Sequence, residues 1–206
     1  MESSNNQNFN KVKATEAILQ SDIGIIPSET LRNLLGISRH QAPFDLINSL
    51  VMNGILKRLE MGKYIIPSKK PSNFLIANFL YEPSYISFES ALNFHGILSQ
   101  FPFEITSATV KKTKIKEIDG NIYSYSHINK DLFWGYEKKD GFLIALPEKA
   151  LLDQIYLSIN GKRQIDMSEY DLSNIDKKRL DEYVNNIKKG IVKDKIIEIL
   201  KTNKIL

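Results

Sequence analysis

Eight side chains in the first third of the chain are of the types that bind DNA. Lys57, Arg58 and Lys63 are cations on either side of Met61-Gly62, and cations neutralise phosphate. Arg39, His40, Gln41, Asn48 and Ser49 carry donors and acceptors that reach phosphates or base edges in a groove. Asp45, among them, is repelled by phosphate unless it accepts from a cytosine amino group. A second basic run, Lys111-Lys112-Thr113-Lys114-Ile115-Lys116, is either a solvated strand edge or a second nucleic-acid contact through Lys111, Lys112, Lys114 and Lys116.

Hydrolytic chemistry has one candidate. Glu137-Lys138-Lys139 matches the E-x-K part of a metal-dependent nuclease pattern, with Asp119 or Asp131 upstream as a further metal ligand. Two carboxylates and a lysine can hold Mg²⁺ and orient water. Asp140-Gly141 follows at once, however, and marks a turn. Glu137 and Lys139 are therefore expected to be solvent-facing turn residues. Glu148 and Asp153 are five apart, do not share a helix face well, and are expected in cap and surface roles. His40, His95 and His127 show no ligand spacing with one another, and His95 beside Gly96 reads as a helix C-terminal residue bonding to carbonyls. The chain lacks G-x-x-x-x-G-K-[ST], G-x-G-x-x-G and G-x-S-x-G. No catalytic residue, metal or cofactor is expected.

The elements that must position the first group are short. Ser28 to Gly36 reads as a helix, with Leu31, Leu34 and Leu35 as its buried stripe. A second helix follows. It starts either at Ser38 with Gln41 as a capping box or at Pro43 in its first turn, and it ends at Asn53-Gly54. Phe44, Ile47, Leu50 and Val51 form its inward face, which leaves Asn48 and Ser49 outward. Ile55 to Ile66 then reads as a basic hairpin. Helix, turn, helix and hairpin in this order predict a winged helix-turn-helix, which lays its second helix in the major groove.

Composition agrees with a DNA-binding protein without requiring one. The net charge is +4, and residues 28–70 hold seven Lys or Arg against three acids, whereas residues 71–110 hold three Glu and no Lys or Arg. The basic excess is thus partly segregated onto the winged helix. There is no cysteine, so disulfides and thiolate metal sites are excluded. The polar start MESSNNQNFNK is not a secretory signal, and no apolar run approaches the roughly 20 residues that span a bilayer. A cytoplasmic protein is expected.

In chain order, residues 1–9 are expected to be disordered, and residues 11–21 helical with Val12, Ile18 and Leu19 buried. A loop carries Ile25 and Ile26 to the core. From Pro71 the chain changes character, which divides it into residues 1–70 and an α+β part, residues 71–206, with antiparallel strands. In that part helices are expected from Phe74 to a point before Pro83, at 87–95 and 148–159, and near 176–189 and 191–203. Asp119-Gly120 and Asp140-Gly141 turn two hairpins. Its core is expected around Phe79, Phe94, Phe103, Trp134 and Phe142.

YISFESALNFHGIL (Tyr85–Leu98) and ALPEKALLDQIYL (Ala145–Leu157), behind the basic winged helix, resemble the AbiEi-type antitoxins of bacterial type IV toxin–antitoxin systems, in abortive infection. The resemblance spans roughly residues 10 to 160. It implies a transcriptional regulator whose winged helix binds double-stranded operator DNA and represses its own operon. It also implies a second domain that neutralises a nucleotidyltransferase-like toxin. The chain departs from the family at the start of the recognition helix, where relatives often carry several arginines and this chain reads Arg39-His40-Gln41-Ala42-Pro43. The partners so implied are operator DNA and the cognate toxin, with no membrane, and a dimer on DNA is one open arrangement. The competing reading is a protein-interaction module without a specific DNA site.

Overall fold

A computed structural model describes residues 2–21, 24–36, 44–161 and 163–205, the side chains of 2–10 and 44 excepted. The protein is a mixed α+β chain of two compact units, Met1–Leu80 and Tyr81–Leu206. The observed division falls after helix Asn73–Leu80, later than the change of composition at Pro71.

The first unit begins with helix α1 (Glu2–Gln20), so residues 2–9 of the tail expected to be disordered are helical. Its buried side is Ala14 and Ile18, four apart on one stripe. Val12 and Leu19 fall off that stripe and are 57% and 42% exposed, against expectation. Ile25 and Ile26 lie in a strand, β1 (Ile25–Pro27), rather than a loop. The reason is non-local: strand β3 (Lys63–Ile65) offers an edge, pairing Ile65 with Ile25 and Tyr64 with Ile26. Helix α2 (Ser28–Leu34) opens directly from β1 and buries Leu31. Helix α3 (Phe44–Met52) is capped at its end by two bonds to one carbonyl, Ile55 N–H and Leu56 N–H to Leu50 O at 3.0 and 3.2 Å. Strand β2 (Lys57–Glu60) pairs antiparallel with β3, giving the sheet order β1-β3-β2. The core collects Ile18, Ile26, Leu31, Ile47, Leu50, Leu56, Tyr64 and Ile66. Helix α4 (Asn73–Leu80) completes the unit.

The second unit is built on a six-stranded sheet ordered β6-β7-β5-β4-β9-β8. Its strands are β4 (Ser84–Ile86), β5 (Glu104–Thr109), β6 (Lys114–Ile118), β7 (Asn121–His127), β8 (Tyr136–Lys139) and β9 (Phe142–Ala145). The sheet is mixed rather than antiparallel, because β4 with β9 and β5 with β7 run parallel. The two Asp-Gly turns close the β6–β7 and β8–β9 hairpins with positive φ at both central residues, the turn that matches strand twist. Helix α5 (Phe88–Phe94) packs on α6 (Pro147–Ile159), and α6 also meets α7 (Lys177–Asn186), α8 (Ile191–Thr202) and β9.

The aromatic core expected around five residues is largely replaced. Phe142 is buried, but Phe79 belongs to the first unit, and Phe94 and Phe103 are 38% and 86% exposed. Trp134 lies in the loop before β8, where its indole N–H donates to Asp131 O at 2.8 Å. The buried large side chains are Tyr85, Phe88, Tyr123 and Tyr125. Among the described residues, no helix is long and apolar enough to cross a membrane.

Candidate nucleic-acid surface and a buried polar network

Asn48, Arg58 and Tyr64 come together from helix α3 and the hairpin. Ile47 and Leu50 turn into the core, and this rotates Asn48 outward on the helix between them. Arg58 and Tyr64 are paired across β2 and β3, so their side chains share a sheet face. The Arg58 guanidinium donates to the Tyr64 hydroxyl at 3.2 Å and to Asn48 Oδ1 at 3.5 Å, and it sits 5.4 Å from the Tyr64 ring centre. Ser49 is half-buried, with its Oγ 3.5 Å from Asn53 Nδ2. Lys57 is exposed on β2 beside this cluster.

Lys63 differs from the expectation. Its ammonium donates to Leu80 O at 2.7 Å, pairs with Glu60 at 2.9 Å and lies 5.4 Å from the Phe79 ring. It ties the hairpin to α4 instead of facing outward. Arg39, His40 and Gln41, and with them the expected start of the helix, lie outside the described residues.

In the second unit the lysine run straddles the sheet edge β6. Lys111, Lys114 and Lys116 bring their ammonium groups to within 5.5, 5.7 and 5.8 Å of the Tyr81 ring centre, and the Tyr81 hydroxyl donates to Lys112 O at 3.0 Å. Glu137 and Lys139 are exposed as expected, but in strand β8 rather than a turn. Asp119 belongs to the β6–β7 turn, at the opposite edge of the sheet from β8. Asp131 pairs with Lys188 at 2.7 Å, which holds its carboxyl below the usual range. Among the described residues no three His, Asp or Glu side chains gather as a metal site. His95 does bond to a carbonyl, that of Ala145 on β9 at 2.8 Å.

Glu148 and Asp153 overturn the surface reading. Both are buried, as are Lys149 and Gln154. Helix α6 is covered from several sides, so residues five apart face different neighbours and both lose water. Asp153 accepts from the Tyr85 and Ser87 hydroxyls at 2.8 Å each and forms an ion pair with Lys149 one turn back. Ser87 therefore stands at the N-cap position of α5 with its hydroxyl committed to Asp153 rather than to the cap. Glu148 accepts from the Asp176 backbone N–H at 2.9 Å, and Arg179 lies 3.5 Å away. Glu89 accepts from Gln154 at 2.9 Å and pairs with Arg163. Gly135, with φ +74, lies so close that an added Cβ would be 3.0 Å from Lys149 Cγ. The sequence held one signal for this network: in PEKALLDQIYL the apolar residues run round the helix and leave no wet stripe.

Burial, aided by Asp153, pushes the Tyr85 phenol well above its ordinary value of 10.0. Burial, with Glu89 nearby, pushes Tyr170 up to about 12. Burial lowers the Lys149 ammonium from 10.5, with Asp153 opposing. Each tyrosine holds its proton more tightly in the folded state. Their stabilisation is complete below pH 10.0 and is lost as pH rises through the raised pKa of each, about 12 for Tyr170. Lys149 acts in the opposite sense just below 10.5, where the unfolded chain holds more protons and stability rises with pH. In a spectrophotometric titration, Tyr170→Phe should remove absorbance change near pH 12. An unchanged curve in that variant would refute the assignment.

Comparison of the sequence with models of known protein families finds no match, and comparison with curated proteins finds none either.

Proposed function

We propose that the chain is a non-enzymatic, DNA-binding transcriptional regulator of the AbiEi antitoxin type. Its first unit acts as a winged helix on the operator of its own operon, and its second unit neutralises a nucleotidyltransferase-like toxin. One observation carries the DNA reading: Arg58 from the hairpin and Asn48 from helix α3 meet at 3.5 Å on an exposed surface. The Tyr64 hydroxyl and ring hold the guanidinium in place, so less side-chain entropy is lost when it meets phosphate or a base edge. The order α2, α3, hairpin supports the same reading, since a winged helix uses its second helix and its wing together. Lys63 has no part in it, being committed to Leu80 and Glu60.

Binding to the DNA upstream of the chain's own gene, measured by anisotropy across a salt series, tests this. Lys57→Ala and Arg58→Ala should each lower the slope of log K against log salt by about 0.9 if each removes one phosphate contact. Lys63→Ala should change stability and leave the slope as it was. Unchanged affinity and slope in the Lys57 and Arg58 variants would exclude the hairpin as a DNA element. Purified protein with Mg²⁺ or Mn²⁺ should leave DNA and RNA intact. Cleavage that disappears in Glu137→Gln would replace this reading with the nuclease.

A further inference from the structure

Strand β6 is an edge of the second unit's sheet, with β7 on its inner side and no strand of the described residues beyond it. Such an edge presents a row of outward N–H and C=O groups, a template for another strand. Its side chains alternate between two unlike faces. On one face, the ammonium groups of Lys114 and Lys116 converge with that of Lys111 over Tyr81. On the other, Ile115 is 66% exposed. Ile115 is in register with Ser124, and Ser124 with Thr106, so these three share a face. That face is the floor of a groove of about 660 Å³, with Phe103 on its rim at 86% exposed. Ser124 is only 6% exposed, and its hydroxyl has no hydrogen-bond partner.

We propose that β6 is the docking edge for an extended acidic segment of a partner protein, which joins the six-stranded sheet with carboxylates over Lys114 and Lys116 and an apolar side chain between them, against Ile115 and Phe103. The charge selects the occupant. Lysines on an edge repel a basic strand and lose hydration against a neutral one, whereas an acidic strand supplies attraction. A second copy of this chain is disfavoured by the same rule. Antiparallel pairing of two β6 strands centred on Lys116 opposes Lys116 to itself, and centring on Ile115 opposes Lys114 to Lys116. Alternation selects the pattern: acidic, apolar, acidic at period two, in either strand direction. A nucleic-acid backbone would engage the lysines alone and leave the strand edge, Ile115 and Phe103 unused. This docking site stands independently of the DNA reading, which rests on the first unit.

The test uses the full chain and two labelled peptides of one composition. One alternates glutamate with valine, and the other carries its glutamates and valines in separate blocks. The alternating peptide should bind about tenfold more tightly, and Lys114→Glu with Lys116→Glu should weaken it by about tenfold while admitting an alternating lysine–valine peptide. Ile115→Lys, which keeps both lysines, should weaken the alternating peptide as well. Equal affinity for the two peptides would overturn the proposal, since net charge alone then explains binding. So would displacement of the peptide by random-sequence duplex DNA whose own binding is lost on the same charge swap, which would make β6 a nucleic-acid surface. Operator binding followed through Lys57 and Arg58 reports on the other reading separately.

Discussion

Asp153→Ala is expected to destabilise the second unit by about 3–5 kcal/mol, the cost of breaking a buried ion pair from one side. The loss has two parts. Lys149 keeps its buried ammonium without a counter-charge, and the Tyr85 and Ser87 hydroxyls lose the acceptor they share. Asp153→Asn should cost less, because an amide oxygen still accepts from the two hydroxyls. Adding Lys149→Met to Asp153→Ala should recover part of the loss by removing the stranded cation. Urea unfolding followed by circular dichroism, arranged as a double-mutant cycle, measures this. A loss below about 1 kcal/mol for Asp153→Ala would show that the pair is solvated in solution. The network joins β4, α5 and α6 through side chains rather than the backbone, and so fixes how the helices sit on the sheet that carries β6 at its edge.

Leu50→Ala is expected to cost about 2–5 kcal/mol, the range for emptying a fully buried leucine site. Leu50 has no exposure, and its side chain packs among Ile18, Ile26, Leu31 and Leu56. Its carbonyl also receives the two N–H groups that turn α3 into the hairpin. The cavity therefore opens where helix and hairpin are joined, and that join sets the Asn48–Arg58 distance. Operator affinity should fall together with stability. Leu50→Met, which fills the site, should restore most of both. Hydrogen exchange should show faster opening of α3, β2 and β3, with the amides of β5 and β7 unaffected. Full operator binding by a Leu50→Ala protein whose α3 exchanges freely would break the link between this core and the proposed site.

The chain alone determined the features that depend on neighbouring residues. Asp119-Gly120, Asp140-Gly141 and Met61-Gly62 mark three hairpins that the structure contains, because the residues allowed in a tight turn are few. Ile47 and Leu50, three apart, mark the buried side of α3, because one helical turn returns them to the same face. Pro147 marks the start of α6 for a similarly local reason, a missing N–H that the first turn does not need. The tertiary structure alone decided what depends on partners far away in sequence. Ile25 and Ile26 became a strand through β3, and Lys63 was drawn inward by Leu80 O. Asp153, expected at the surface, is buried against Tyr85, which is 68 residues away. A carboxylate tolerates that burial only where donors and a cation converge on it, and their convergence is a property of packing, invisible to spacing along the chain. Arg58 and Asn48 were both legible as DNA-binding types, but only the antiparallel pairing that sets Arg58 beside Tyr64 brought them within reach of each other.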